Sequence, residues 1–283
     1  MNVVLPDKPK ILNRRNVTYM TVFIICVVAV AIAVYQFFTE EKLDVILGIT
    51  KVENEEINQL KQDFNNLFTN ELIIGKKQKT IDNIQKISGE RDLVYTDYEK
   101  EEKSLNNYEI NVFIPQINID NDITKKYNEE IKNSFQKPAE DILQTEERNI
   151  IYTVNYMSYV ENDILSVVIL ATFKEQNNVQ RTIAKAYNYN IKTNKEVTLD
   201  NFMKIKYLDK KILEEEIKKE IESEQEQTEQ LKELGYNIFL RDVTDEMYKI
   251  ENAENYFMYN GYLYVIYAYG NTNNTSEMDI III

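Results

Sequence analysis

Apolar positions along this chain keep several different rhythms, and each predicts a different element. Between residues 17 and 38 there is no rhythm at all: VTYMTVFIICVVAVAIAVYQFF is almost unbroken apolar chain without a charge. A helix of that length spans the ~30 Å hydrocarbon core of a bilayer. Over residues 43–68 the period becomes helical, with Ile57, Leu60, Phe64 and Leu67 separated by polar residues. At Tyr108 the period drops to two. Tyr108, Ile110, Val112 and Ile114 alternate with Glu109, Asn111 and Phe113 up to Pro115, which predicts a strand. Asp122 then stands where a helix cap belongs, before a helix from Ile123 through Ile131 to Phe135, with Pro138 beyond it.

Three runs rich in Val, Ile, Thr and Tyr follow, at 150–159, 164–173 and 181–191. They are punctuated by Glu161-Asn162-Asp163, Asn177-Asn178 and Thr193-Asn194-Lys195, the pattern of an antiparallel meander. Residues 199–234 return to helical spacing. Leu208, Ile212, Ile217 and Ile221 form the apolar face, and Gly235 is the stop. Asn260-Gly261 between two β-rich runs predicts a type I′ hairpin, because both turn residues need positive φ. The terminal run 278–283 is expected to be paired, since exposed it would aggregate.

Charge orients these elements. Lys8, Lys10, Arg14 and Arg15 precede the apolar run, while Glu40, Glu41 and Asp44 follow it with Lys42. The positive-inside rule places residues 1–16 in the cytoplasm and the rest outside. The competing reading is a cleaved signal peptide, but its apolar stretch is ~7–15 residues, and the A-x-A sequences at 29–33 lie inside this run. Cys26 is in mid-run, where a lipidated cysteine has no place. The expected organisation is a cytoplasmic tail at 1–16, a transmembrane helix at 17–38, a juxtamembrane helical stalk at 39–104 and an extracytoplasmic domain at 105–283. That domain is expected to be α+β, an antiparallel sheet with flanking helices.

The chain carries −14 overall; its first 16 residues, four basic against Asp7, carry +3, which leaves −17 for the rest. Such a surface repels nucleic-acid phosphates and attracts cationic partners. There is no histidine, and the one cysteine is in the apolar run. Ser-His-Asp, Cys-His and zinc chemistries built on those residues are therefore excluded, leaving carboxylates, Lys and Tyr. No catalytic residue, metal ligand or cofactor is assigned. Asn118, Asp120, Asp122, Thr124 and Glu129 match calcium-loop positions without the turn glycine, Ile123 standing there, and read equally as strand, turn and capped helix. Tyr262, Tyr264, Tyr267 and Tyr269 could grip a sugar or a protein, or complete a half-buried sheet. Glu222, Glu224 and Glu226 belong to a polar run expected to be a solvated face, one that would steer a cationic partner. Paired carboxylates can hydrolyse glycans, but 47 acidic residues make some such pair unavoidable.

The stretch 108–135, YEINVFIPQINIDNDITKKYNEEIKNSF, resembles the outer domain of RsiV-type anti-sigma factors and the related domain attached to some peptidoglycan deacetylases. Residues 164–202 look like that domain's second half, and 262–283 like its C-terminus. Members often carry a GGAHG loop where this chain has Glu175-Gln176-Asn177-Asn178-Val179. The resemblance implies a membrane-anchored, non-enzymatic binding or sensing module of the bacterial envelope, with lysozyme-like proteins or peptidoglycan as candidate partners. A carboxylate-based wall hydrolase and a structural partner of a membrane complex are the alternatives.

Overall fold

The computed structural model describes residues 55–78, 84–105, 107–145, 149–271, 273–274 and 277–283. The chain divides into two compact units, Met1–Asn58 and Gln59–Ile283. In the first, residues 55–58 are described and are helical. The expected span at 17–38 lies outside the described residues, among which no helix is long and apolar enough to cross a membrane.

The second unit is mixed α+β, with a seven-stranded and a three-stranded sheet. The larger sheet runs β2 (Val94–Ser104), β3 (Tyr108–Ile117), β4 (Ile150–Glu161), β5 (Ile164–Glu175), β6 (Arg181–Asn190) and β7 (Lys195–Glu196), with β1 (Leu72–Ile74) also on β4. The meander β4–β5–β6 forms as its alternation requires. Asn162 and Asp163, both at positive φ, make the tight turn between β4 and β5. The sheet is not wholly antiparallel, however: β3 and β1 both lie parallel to β4, at opposite ends of it. A parallel pair needs a crossover. Here it is helix α1 (Asp122–Ile131), a π-helical turn (Lys132–Gln136) and helix α2 (Lys137–Gln144).

That crossover departs from the expected helix at both ends. Its cap is Asn121, whose side chain accepts the Ile123 N–H at 2.9 Å. At the other end the chain passes Pro138 instead of stopping, because after the π turn Pro138 stands in the first turn of α2, where its missing N–H is tolerated. Tyr127, Ile131, Phe135, Ala139 and Ile142 thereby stay on one buried stripe against the sheet.

From residue 59 onward the chain departs from the expected helical stalk over 39–104. Residues 59–63 are helical, but Phe64 is 1% exposed and packs on Phe257 and Tyr264. The charged stretch Lys100–Lys103 lies within β2, an edge strand whose charges discourage pairing with another chain.

The smaller sheet is β8 (Asn255–Tyr259), β9 (Tyr262–Ala268) and β10 (Met278–Ile282), the last paired as expected. Asn260 and Gly261 have φ 49° and 86°, the turn their sequence predicts. Helices α3 (Leu199–Lys206) and α4 (Lys210–Glu233) cover one face of it. The single helix expected over 199–234 is broken at Tyr207, which is left-handed, and Asp209 caps a new start. The restart buries Leu213, Ile217 and Ile221 and leaves Ile212 exposed. Gly235 (φ 91°) closes α4: its N–H donates to the Lys232 carbonyl and that of Tyr236 to Leu231.

Candidate functional site

Of the seven residues singled out in the sequence, the structure brings together two. Tyr269 and Glu224 converge on a buried ion pair, Arg241 with Asp279. Arg241 donates to both Asp279 carboxylate oxygens, at 3.0 and 2.7 Å, and to Glu277 at 3.4 Å. The Tyr269 hydroxyl donates to Asp279 and lies 2.8 Å from that of Tyr248, while its ring stacks on Phe239. Burial, and then the neighbouring Asp279, hold the Tyr269 hydroxyl protonated well above its usual range. Glu224, half-buried on α4, has its carboxyl raised by burial and then by Asp279.

The other five do not form a site. Tyr264 is buried and stacks on Phe257 with ring centroids 4.7 Å apart. Tyr267 is buried against Tyr248, and its hydroxyl has no hydrogen-bond partner among the described residues. Tyr262 is half-buried beneath the Lys206 ammonium. Glu222 is exposed and pairs with Lys218 at 3.6 Å; Glu226 is exposed. Of the two readings of these tyrosines, an exposed gripping face or a half-buried sheet, the structure has the sheet. Both faces of β9 are covered, one by α3 and α4 and the other by Phe64 and Phe257, and alternation alone does not distinguish one-sided from two-sided burial.

The calcium-loop residues are also spoken for. Asn118 is fully buried, and its amide donates to the carbonyls of Ser88, Arg91 and Asp92. The Thr124 hydroxyl donates to the Ile119 and Asn121 carbonyls, and Asp120 pairs with Lys125.

An open groove of about 180 Å³ lies elsewhere, where α1, β6, the approach to α3 and the entry to β8 meet. Its floor is pinned by Asn188 of β6. The Asn188 amide donates to the Tyr256 carbonyl at 2.7 Å, its carbonyl oxygen Oδ1 accepts from Ser166 at 2.7 Å, and its backbone carbonyl accepts from the Tyr127 hydroxyl at 3.3 Å. Tyr127 and Tyr187 pack ring to ring at 5.0 Å. Burial keeps the hydroxyls of Tyr127, Tyr187 and Tyr256 protonated, reinforced by Glu196 beside Tyr127 and Tyr256 and by Glu130 beside Tyr187.

The groove's carboxylates are partnered. Glu254 meets Lys185 at 3.1 Å, Glu130 meets Lys126 at 3.7 Å, and Glu196 lies by the Tyr127 hydroxyl. The groove presents polar groups and paired charges above the Tyr127 and Tyr187 rings, which are buried at 6% exposed each. It suits a sugar ring or a cationic side chain better than it suits a pair of free acids acting on a bond. Nothing in the sequence joins 126–130, 185–188, 196 and 254–256.

No family model matches the chain, and no curated protein does. Among solved structures it is similar to a DUF3298 family protein from Pseudomonas aeruginosa PAO1, at 8% identity over 67% of this chain and 88% of that one, with a TM-score of 0.38. It is also similar to a DUF3298 member from Bacteroides fragilis NCTC 9343, at 13% identity over 62% and 80%, with a TM-score of 0.32. Both neighbours belong to an uncharacterised domain family.

Proposed function

We propose that the chain is a membrane-anchored, extracytoplasmic binding or sensing module of the bacterial envelope, related to the RsiV-type outer domain, and that the Tyr127–Tyr187–Tyr256 groove takes its ligand. The observation that carries this reading is the groove itself, a polar opening with paired charges over buried tyrosines, on an acidic domain. Its ligand is a cationic, lysozyme-like protein presenting a basic side chain, or a cell-wall glycan presenting a sugar ring. The two separate on salt. Attraction between −17 and a cationic protein weakens as ionic strength rises to ~0.15 M, where screening acts beyond ~8 Å, whereas glycan binding is nearly indifferent.

Surface plasmon resonance with the full chain in lipid nanodiscs, against lysozyme and against soluble peptidoglycan fragments, tests the proposal. Tyr127→Phe and Glu196→Gln are expected to weaken binding of whichever ligand is correct about tenfold, mainly through dissociation. Absence of binding to both at low salt rejects the reading. Release of peptidoglycan products that stops on replacing one groove carboxylate replaces it with the hydrolase.

A further inference from the structure

The acidic domain has one basic and apolar corner. β1 ends in Ile74, 56% exposed, and a turn follows in which Lys76 and Lys77 are exposed. α3 ends in Lys204-Ile205-Lys206-Tyr207, with Ile205 45% and Tyr207 97% exposed. The fold holds these two segments together through the ends of β4 and of the β8–β9 hairpin. Gly75 lies so close to the Tyr159 hydroxyl and the Glu161 side chain that a Cβ there would overlap both. The Lys77 N–H donates to the Glu161 carboxylate at 3.2 Å. Tyr159 donates to Asn260 at 3.3 Å, and the next carbonyl, Gly261, accepts from the Lys206 ammonium at 2.8 Å. Ile205 lines one small cavity with Tyr159, Glu161 and Asn162.

Glu161 brings one carboxylate to this corner. Lys210, Lys211, Lys218 and Lys219 on α4 each pair with a glutamate, but Lys76, Lys77, Lys204 and Lys206 make no ion pair among the described residues. Burial, and then the charge of Lys77, push the Lys206 ammonium down, as expected where two cations share a corner. Tyr207 sits at φ 52° and gains almost no packing in return for that left-handed backbone. Lysines beside exposed isoleucines and a tyrosine are the composition of a surface that lies in a bilayer interface. A soluble anionic polymer would match the lysines but offer nothing to the aliphatic side chains.

We propose that this corner is a membrane-docking surface: Lys76, Lys77, Lys204 and Lys206 meet anionic phospholipid headgroups, and Ile74, Ile205 and Tyr207 enter the interface. The proposal rests on the membrane anchor of the preceding section. Residues 39–58, about 20, lie between the expected span and the second unit, a reach of at most ~70 Å when extended, which is short enough for a tethered domain to meet a lipid surface.

The test uses the full chain with Cys26→Ser and one new cysteine, Tyr207→Cys or Glu226→Cys, carrying an environment-sensitive fluorophore. The chain is reconstituted in phosphatidylglycerol or phosphatidylcholine vesicles containing a spin-labelled lipid quencher. Flotation at high salt first shows whether the chain is anchored, and failure there rejects the anchor itself. In anchored chains the probe at 207 should be quenched in phosphatidylglycerol and not in phosphatidylcholine, while the probe at 226 is quenched in neither. Each of Lys76→Gln, Lys77→Gln and Lys204→Gln should weaken docking about fivefold. No quenching at 207 in phosphatidylglycerol, equal quenching in both lipids, or equal quenching at 226 overturns the proposal.

Discussion

The Arg241 cluster and the groove at Tyr127 are built from the same side chains, tyrosine, carboxylate and cation, with opposite results. Around Arg241 the groups satisfy one another away from water. Asp279 takes both guanidinium bonds and the Tyr269 hydroxyl, and the side chains of Arg241 and Asp279 are 0% and 2% exposed. In the groove the pairs sit at the surface: Lys185 and Glu254 are 43% and 73% exposed. A dry, saturated network specifies the fold but has little left to offer a ligand. A wet, half-committed one adds little stability and can exchange its partners for a ligand's groups. The difference lies in burial, not in chemistry.

The strongest way to break this comparison is to remove the cation from each place. Arg241→Met leaves Asp279 buried without a counter-charge and should cost ~3–5 kcal/mol in urea unfolding. Lys185→Met should cost ~0–1 kcal/mol, as an exposed pair does. Equal losses would mean that the groove pair is as structural as the buried one. Adding Asp279→Leu to Arg241→Met should recover much of the larger loss, because the stranded charge is then gone.

A smaller contrast lies two residues apart on one strand and its continuation. Tyr269→Phe removes a hydroxyl bonded to Asp279 and near Tyr248, and should cost ~1–3 kcal/mol. Tyr267→Phe removes one without a partner among the described residues and should be neutral or stabilising. Thermal melts of the two variants decide it; a destabilised Tyr267→Phe would show that its hydroxyl is satisfied after all.

The smallest effect concerns Glu224. Its carboxyl is raised by burial and Asp279, against the lowering influence of Arg241, with Glu220 and Glu277 adding to the rise. A raised folded-state value means that its contribution to stability is present below the unfolded carboxyl range and is lost as pH climbs through the raised value. Glu224→Gln should therefore lift the melting temperature slightly at pH 7, with the gain vanishing near pH 4. A loss at pH 7 would place Glu224 as a working partner of Arg241. For the same reason, reversing Glu224 is a poor probe of rim steering, whereas Glu222 and Glu226 remain suitable ones.

Local pattern was enough for the elements whose evidence lies within a few residues. The strands at 150–161, 164–175 and 181–190 follow from β-branched and aromatic runs between turn residues. The Asn260-Gly261 hairpin follows from the need for two positive φ values, and the α4 stop from the left-handed glycine. The absence of histidine, and a single cysteine within the apolar run, fixed which chemistries are unavailable. The groove was not legible, because its walls come from four stretches up to 130 residues apart, and the period that marks each stretch does not say which of them meet. Nor was the fate of the tyrosines: period two says that successive side chains face opposite ways, but how many faces are covered depends on what packs there. Phe64 and α4, both distant in sequence, cover β9 from either side, and so decide between the gripping face and the sheet that period two left open. Backbone sterics and the hydrogen bonds of turns and caps act between neighbours and so are written along the chain; burial is a property of the whole assembly, and only the tertiary structure sets it.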